Sequence, residues 1–398
     1  MQGEERVIYL DNNATTRTAP EVVEAMMPYF GELYGNPSSM HAFGGRIGKA
    51  VSEAREKVAD FFNAHPEEIV FTSCATESDN TAIRGTAEYF GKTSKFITTA
   101  VEHPAVLQPG RRLRAMGHEC VELPVDSLGR LDLDRLRSEL KGTKNAIVSI
   151  MWANNETGTV FPVAEAAAIA KEAGATFHTD AVQAAGKIPL DMQAVPADMA
   201  SISGHKFHAP KGVGALFARR GTRFKPFMLG GHQEGGRRAG TDNVPYIVGL
   251  GKACEIAKAA MEDENRRLAA MRDRLEKGIL ATCPDVRVNG DPEHRLPNTL
   301  NVAFEYIEGE AIVYRLSDEG ICVSTGSACA SGSLDPSHVI RAMGVPFTAV
   351  HGSIRFSLSR YTTDAEIDYT LEKLPPIVKG LRALSPFGPG MDPTTFGG

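Results

Sequence analysis

Cysteine is scarce in this chain, and its few copies follow no spacing typical of a disulfide framework or a metal site. The six residues are Cys74, Cys120, Cys254, Cys283, Cys322 and Cys329. Small disulfide-dependent domains carry cysteine at far higher density, and structural zinc sites place thiols in closely spaced pairs. We therefore expect neither a disulfide framework nor a structural zinc site, and we expect mostly reduced thiols.

The sequence also lacks long apolar runs and blocks of like charge. No stretch approaches the ~20 apolar residues of a membrane helix, and the opening MQGEERVIYLDNNATT contains no apolar signal core. The 43 basic and 49 acidic residues give a net charge of −6 and are spread along the chain. We therefore expect a cytoplasmic protein with neither a nucleic-acid nor a membrane partner.

Short β-rich runs alternate with helical patterns through the first half of the sequence. EEIVFTS, KFITTA, NAIVSIMWA, ATFHTDA and ADMASIS are apolar and rich in β-branched residues, and helix-like segments lie between most of them. This order predicts an α/β fold with a mostly parallel sheet covered by helices on both faces. With 42% hydrophobic residues among 398, the chain can bury a large core.

The pattern changes near residue 260. MEDENRRLAAMRDRLEKGIL predicts a long amphipathic helix, and the runs NTLNVAFEYI and SIRFSLS follow it. We predict a large domain over residues 14–259 and a smaller α+β domain over residues 260–398 with residues 1–13. A mobile loop is expected over residues 322–334, because CVSTGSACASGS offers little apolar bulk to pack Cys329.

Two polar residues follow predicted strands at the edge where open α/β sheets bind ligands. Lys206 stands in SISGHKFHAPKG, and Asp180 closes the strand in ATFHTDAVQAAG. Pyridoxal phosphate enzymes require such a pair, a Schiff-base lysine and an acid that keeps the pyridine nitrogen protonated. For each residue alone, a surface lysine and a helix N-cap aspartate are the alternatives.

Several further polar residues are candidates for the same site. TSCATESDNTAI begins a helix directly after a strand, so its amides and Thr76 can hold a phosphate with Ser203 and His205, although simple capping is the alternative. His103 ends the strand in KFITTAVEH, where it can stack on a cofactor and exchange protons near neutral pH, unless it is structural. A metal site at His205 and His208 is not expected, because no carboxylate or cysteine has companion spacing.

These motifs together resemble the pyridoxal-phosphate-dependent cysteine desulfurases over about residues 7–385. The resemblance is carried by YLDNNATT, GNPSSMHAFG, FTSCATESDN, VEHPAV, WANNETGT, FHTDAVQAAGK, SGHKFHAPKGVGAL, RRAGT, LPNTLNVAFEYIEGEA and STGSACASGSLDPSHV. The length of STGSACASGS is similar to the first, long-loop branch, and HKFHAPKG, RRAGT and RALSPF resemble its nitrogen-fixation type. The resemblance implies a fold-type I, aminotransferase-like architecture and an obligate homodimer.

The resemblance also implies which residues bind cofactor and substrate. The implied ligands of pyridoxal 5'-phosphate are Ala75, Thr76, His103, Asn155, Asp180, Gln183, Ser203, His205, Lys206 and Thr241. Lys206 would hold the cofactor, while Gln183 would contact its ring hydroxyl and Thr241 would reach the phosphate of the neighbouring subunit. Asn155 and Arg355 would bind the substrate carboxylate, for which a guanidinium fork is well shaped.

Cys329, Lys206 and His103 are the implied catalytic residues. Lys206 would take the Cα proton, and Cys329 would attack the substrate sulfur, keep it as a persulfide and allow alanine to leave. An ordinary thiol has a pKa of about 8.5, so His103 or another group must help to form the thiolate. The sulfur would pass to an iron–sulfur scaffold or another acceptor, with nitrogenase maturation as one candidate purpose. Cys329 would bind metal only within a cluster shared with such a partner.

Three other functions fit parts of the same sequence. A transaminase or β-lyase would need Lys206 and Asp180 but no loop cysteine, whereas a selenocysteine lyase would differ in its substrate. A non-enzymatic sulfur carrier or assembly scaffold would bind no cofactor. The visible spectrum of the purified protein and its products from cysteine distinguish these functions.

Overall fold

Three sheets organise the residues that the computed structural model describes, namely residues 7–91, 94–326, 336–386 and 388. The strands are β1 (Ile8–Tyr9), β2 (Ile69–Thr72), β3 (Lys95–Thr99), β4 (Glu119–Leu123), β5 (Ala146–Ser149), β6 (Thr176–Asp180), β7 (Met199–Ser203), β8 (Gly214–Ala218), β9 (Val286–Asn289), β10 (Thr299–Phe304), β11 (Ile321–Cys322) and β12 (Ser353–Ser357). The largest sheet has the order β2-β8-β7-β6-β5-β3-β4. Its strands from β7 to β4 are parallel, and β8 runs antiparallel to both β7 and β2. The predicted mostly parallel α/β fold is confirmed.

Helices cover both faces of the large sheet. The α-helices of the described residues, including those that pack on the smaller sheets, are α1 (Pro20–Met26), α2 (Pro28–Gly31), α3 (Ala42–Phe61), α4 (Ala75–Phe90), α5 (Pro104–Ala115), α6 (Leu133–Leu140), α7 (Val163–Glu172), α8 (Val244–Thr282), α9 (Gly309–Asp318), α10 (His338–Ala342), α11 (Phe347–Val350) and α12 (Asp364–Leu384). Successive residues such as Phe96 and Ile97 join different apolar clusters, as expected for a strand buried on both sides. None of the described helices is both long enough and apolar enough to cross a membrane.

A second apolar core surrounds the two smaller sheets. The sheet β12-β10-β9 is antiparallel, and β1 pairs with β11 in parallel. Ile8 and Leu10 belong to this core together with residues from α8, α9 and α12. The predicted boundary between residues 259 and 260 falls inside α8, whose first half packs in the large core and whose second half packs in the smaller one. Val339 of α10 and Val350 of α11 pack in the large core, and the predicted division into domains stays a prediction.

Gly85 in α4 tests how tightly a loop packs against the large sheet's helices. A Cβ at this position would overlap the carbonyl oxygen of Lys225, whose N–H donates to the Gly85 carbonyl at 3.0 Å. Alanine normally stabilises a helix interior by roughly 0.5–1 kcal/mol relative to glycine. We expect Gly85→Ala to lower the free energy of unfolding by about 1–3 kcal/mol in urea titrations, because the backbone must shift. Gly380→Ala in α12 is the control and should be stabilising, because an added Cβ there would have no atom of the described chain within 4 Å apart from its chain neighbours and its own helix backbone. The same sign in both variants would contradict this packing.

Candidate active site

A cavity of about 720 Å³ opens where β6 and β7 end. Ten of the predicted site residues line it: Ala75, Thr76, His103, Asn155, Asp180, Gln183, Ser203, His205, Lys206 and Arg355. They come from both the large sheet and β12, so residues 280 positions apart (75 to 355) meet at one place. Pockets at the carboxyl ends of parallel strands are the usual ligand sites of α/β sheets.

Lys206 is held at the cavity wall by the amino-terminal segment. A short 3₁₀ turn, Gly204–Lys206, follows β7 and places this side chain. Its Nζ donates hydrogen bonds to the carbonyl oxygens of Asn13 at 2.6 Å and Ala14 at 2.8 Å. The amine therefore lies against neutral acceptors within a cavity that also contains Asp180. The two carbonyls were not foreseen, because backbone acceptors leave no residue-type signal.

Asp180 is a buried carboxyl group on which the charge of Lys206 acts. Its side chain is the last of β6 and only 6% exposed, and Oδ1 accepts the Val182 N–H at 3.0 Å. Burial raises the pKa of Asp180 to about 6, although the Val182 hydrogen bond and the charge of Lys206 act in the opposite direction. A protonated pyridine nitrogen would supply a positive charge that favours the ionised form of this buried carboxyl group.

The side-chain amide of Gln183 has a buried oxygen that a bound cofactor could pair with. Its Nε2 donates to the Asn13 carbonyl at 3.0 Å, whereas Oε1 is buried without a hydrogen-bond partner among the described residues. A buried unpaired amide oxygen is costly unless a bound group satisfies it. A ring hydroxyl would do so, and the residues present therefore fit pyridoxal phosphate.

The start of α4 forms an anion seat beside these residues. The N-cap residue, Cys74, makes no capping hydrogen bond through its side chain, and Ala75 and Thr76 line the cavity. The first N–H groups of a 16-residue helix attract anions. Ser203 and His205 lie on the same cavity wall. The predicted phosphate site at these residues stays a prediction.

A carboxylate in the first turn of α4 is neutralised by a neighbouring guanidinium. Glu77 pairs with Arg238 at 2.8 Å and accepts from both N and Oγ of Ser73. Burial alone would raise the pKa of Glu77, but the hydrogen bonds from Arg238 and Ser73 lower it overall. Because Arg238 offsets its negative charge, Glu77 would repel an anion bound at the start of α4 only weakly.

Thr241 is the one described cofactor candidate that does not line the cavity of its own chain. It is exposed, three positions after Arg238. The pair between Arg238 and Glu77 fixes this segment near the start of α4. Its predicted contact with the phosphate of a neighbouring subunit stays a prediction.

His103 is held as a neutral hydrogen-bond donor. Its Nδ1 accepts the Ala105 N–H at 3.1 Å at the start of α5, so the neutral ring carries its hydrogen on Nε2. Burial lowers the pKa of His103 to about 4, and the charges of Lys206 and His338 act in the same direction. Proton exchange near neutral pH, expected from the sequence, would need a negative charge brought beside the ring.

Arg355 reaches the cavity from β12 with its guanidinium already oriented. Nη2 pairs with Asp11 at 2.6 Å and Nη1 donates to the Asn155 carbonyl at 3.0 Å. Nε is buried without a hydrogen-bond partner in the described chain. The Asp11 pair was not foreseen from the sequence, and it means that a substrate carboxylate would share this guanidinium with a protein carboxylate.

Two further buried carboxyl groups that sequence reasoning missed, Glu102 and Asp79, interact electrostatically with Asp180. Glu102 is fully buried; its Oε1 accepts from Thr99 Oγ1 and from the Met151 N–H, both at 2.9 Å. Burial raises the pKa of Glu102 to about 8, with a smaller contribution from Asp180. Asp79 is also fully buried, 3.4 Å from His178 Nε2, and burial followed by the charge of Asp180 raises its pKa. Burial raises the pKa of all three carboxyl groups, Asp180, Glu102 and Asp79, so each favours its protonated form more than an exposed carboxyl group does.

Cys329 lies outside the described residues, as do most of the predicted loop positions 322–334. Gly326, which precedes residues 327–335, and Pro336, which follows them, both line the cavity. The described residues on both sides of positions 327–335 therefore lie at the cavity wall. Within the described part of the chain, no cluster of three or more His, Cys, Asp or Glu side chains is placed to hold a metal.

Residues 8–370 match the family model described as aminotransferase class-V. A protein named cysteine desulfurase from Nostoc sp. (strain PCC 7120 / SAG 25.82 / UTEX 2576) is 60% identical over 381 residues, which cover 96% of this chain and 95% of the relative. One named cysteine desulfurase NifS from Azotobacter vinelandii is 56% identical over 387 residues, covering 97% and 96%. The chain belongs to the cysteine desulfurase family.

Two solved structures have a fold similar to that of this chain. A NifS-like protein is 41% identical with a TM-score of 0.88, and the match covers 94% of this chain and all of that chain. A structure described as SspA in complex with cysteine is 34% identical with a TM-score of 0.79, covering 89% and 99%. The predicted family and the aminotransferase-like architecture are confirmed.

Glu102→Gln should make the stability of the cofactor-free protein less sensitive to pH. The pKa of Glu102 is about 8 in the folded protein and about 4.3 when unfolded, so the folded state binds more protons in between. Stability is then lost as pH rises through this window. Glutamine keeps an oxygen acceptor for Thr99 and Met151 without a charge, so urea titrations at about pH 5 and about pH 8 should show a smaller loss. Glu88→Gln on the exposed side of α4 is the control, and equal losses in all three proteins would refute the assignment.

Proposed function

We propose that this chain uses pyridoxal 5'-phosphate to convert L-cysteine to L-alanine and carries the released sulfur as a persulfide on Cys329. The observation that best supports this proposal is the meeting of Lys206, Asp180 and the unpaired Gln183 oxygen in one cavity, with Gly326 and Pro336 at its wall. The family relationship supports the same reaction, since the relatives described above are named cysteine desulfurases.

The cavity residues divide the binding of the cofactor among them. Asp180 would hold the proton of the ring nitrogen, and Gln183 Oε1 would accept from the ring hydroxyl. The amides at Ala75 and Thr76, together with Ser203 and His205, would hold the phosphate. When bound, the cofactor supplies an electron sink for negative charge that develops at the substrate Cα.

Lys206 has the contacts of a group that changes its protonation state during turnover. The Asn13 and Ala14 carbonyls accept from its Nζ, and this favours the ammonium form after the amine has taken the Cα proton. Arg355 and Asn155 would hold the substrate carboxylate, which orients the Cα–H bond toward Lys206. Asp11 limits the reach of Arg355 by holding Nη2.

Sulfur transfer requires a thiolate nucleophile, and the family resemblance gives this role to Cys329. The thiolate of Cys329 would attack the substrate sulfur, forming a new S–S bond while the carbon–sulfur bond breaks. The electron pair of the broken bond stays with the carbon fragment, which takes up protons and leaves as alanine. A thiolate that approaches His103 would bring the negative charge that this neutral imidazole needs in order to gain a proton.

Partners and purpose follow from this chemistry as further parts of the proposal. The persulfide would pass to an iron–sulfur scaffold or another acceptor protein, with nitrogenase maturation as one purpose, in a homodimer within the cytoplasm. A selenocysteine lyase, a transaminase and a non-enzymatic scaffold are not favoured, because the similar proteins are named for cysteine desulfuration. A purified protein that lacks the cofactor's visible absorbance and forms no alanine from cysteine would refute the proposal.

Cys329→Ser should separate substrate binding from sulfur transfer. The variant keeps Lys206, Asp180 and Arg355, so it should bind the cofactor and change its visible spectrum when cysteine is added, yet form alanine at least ~100-fold more slowly, since a hydroxyl cannot accept the sulfur. Lys206→Ala should lose alanine formation by a similar or larger factor, through loss of the proton shuttle. Cys322→Ser on β11 is the matched control. Alanine formation at the wild-type rate by Cys329→Ser would remove Cys329 from this role.

Mixed dimers test whether Thr241 acts on the neighbouring subunit. Thr241→Ala alone should weaken binding of pyridoxal 5'-phosphate about tenfold, as expected for one lost hydrogen bond to a charged group. A chain with Thr241→Ala that is paired with a Lys206→Ala chain has one site with both residues intact if Thr241 acts across the dimer. Titration of such mixed dimers should then show one wild-type affinity site per dimer. Weak binding at every site would show that Thr241 acts within its own chain.

A further inference from the structure

Glu156 is a buried carboxylate in the cavity wall that the proposed reaction does not use. It follows Asn155 directly and is 3% exposed. Oε2 accepts a hydrogen bond from Ser337 Oγ at 2.6 Å. The Ser337 oxygen in turn accepts the N–H groups of Val339 at 3.1 Å and Ile340 at 3.4 Å, capping α10. The hydroxyl hydrogen is therefore committed to Glu156, which ties the start of α10 to the cavity.

The same carboxylate also packs against Gly326. A Cβ on Gly326 would lie 2.6 Å from Glu156 Oε2, and the φ of +83° at this position favours glycine. Gly326 N–H donates to Ser324 Oγ at 3.1 Å, and Ser324 pairs with Arg355 through the backbone. Glu156 Oε2 thus lies against Gly326, which precedes residues 327–335, and against Ser337, which follows them.

The Glu156 backbone is itself fixed to the large core and to β10. Asn154 Oδ1 accepts the N–H of Glu156 at 2.9 Å, and Asn154 Nδ2 donates to the Val101 carbonyl at 3.0 Å. Asn301 Nδ2 donates to the Glu156 carbonyl at 3.3 Å. Burial raises the pKa of Glu156, while the Ser337 hydrogen bond and the charges of His338 and Arg355 act against this. The carboxylate is a rigid anchor whose ionised form has partners.

We propose that Glu156 is a positioning residue for sulfur transfer, which anchors the two chain points that flank the residues carrying Cys329. This inference rests on the proposed persulfide at Cys329. Asn155, its neighbour, accepts from the Arg355 guanidinium, so a single turn connects the substrate-carboxylate group to both anchor points. Loss of the anchor would misplace the thiol relative to a correctly bound substrate, and small misplacements of reacting groups slow reactions by up to ~100-fold.

Single-turnover experiments on the holoenzyme test this role. Glu156→Ala and Ser337→Ala should each slow persulfide formation at Cys329, trapped by alkylation and measured by mass spectrometry, by about tenfold or more. The concentration of cysteine that half-saturates the change in visible spectrum should stay within about twofold of wild type. Glu156→Gln keeps an oxygen acceptor for Ser337 and should restore most of the rate. The double variant should be no slower than either single variant, because both lose the same contact.

Thr363→Ala is the matched control for the loss of a helix cap. Thr363 caps α12 through Glu366 N–H, so its removal should lower stability without changing the rate of persulfide formation. If Glu156→Ala does not fold, Ser337→Ala carries the test. Persulfide formation at the wild-type rate in Ser337→Ala, or equal losses of rate and cysteine affinity in both variants, would overturn the positioning role alone. Absence of persulfide at Cys329 in the wild-type protein would overturn the proposed function and this inference with it.

Discussion

Asn13 is the contact on which the assembly of the site depends. It is 1% exposed, and its N–H and Nδ2 donate to Ser357 Oγ, Thr299 Oγ1 and the Asn155 carbonyl. Its own carbonyl accepts from both Lys206 and Gln183. A single asparagine therefore joins the small sheet to the residues that face the cofactor cavity. A shift of the amino-terminal segment would therefore displace the hydrogen-bond partner of Lys206, Gln183 and Asn155 at the same time.

The cavity combines an uneven charge distribution with unpaired polar atoms. Asp180, Glu102 and Asp79 are buried on one side, whereas the uncapped start of α4 and Arg355 provide positive potential elsewhere in the wall. Such an arrangement is unfavourable in an isolated protein, since each buried carboxyl must remain protonated or lack compensation. It becomes favourable with a ligand that carries a cationic ring at one end and a phosphate at the other. Asp180 belongs both to this unfavourable charge distribution and to the proposed cofactor site.

Sequence patterns predicted the parts of this fold that have local signals. The runs around β2, β3, β5, β6 and β7 were identified correctly, because buried parallel strands are short apolar segments. The edge strand β4 was missed because Glu119 and Glu122 interrupt its apolar pattern, and β8 was missed because glycines precede a run of only five residues. Lys206 was recognised because it follows a strand, and Asp180 because it ends one. The ion pair of Asp11 with Arg355 and the contact of Glu156 with Ser337 join residues 344 and 181 positions apart, and such pairs have no local periodicity.

The continuous helix α8 sets the mechanical character of the molecule. Its 39 residues correspond to about 58 Å of rigid rod at ~1.5 Å per residue. Since one half of that rod is embedded in each apolar core, a rotation of the small sheet against the large one would have to bend a helix rather than turn about a loop. Gene fragments divided at residue 260 would cut this rod in the middle and leave an apolar helical face without its continuation. Both apolar cores thus share the helix α8, and replacing either half of the chain with that of another protein would disrupt the packing of this helix.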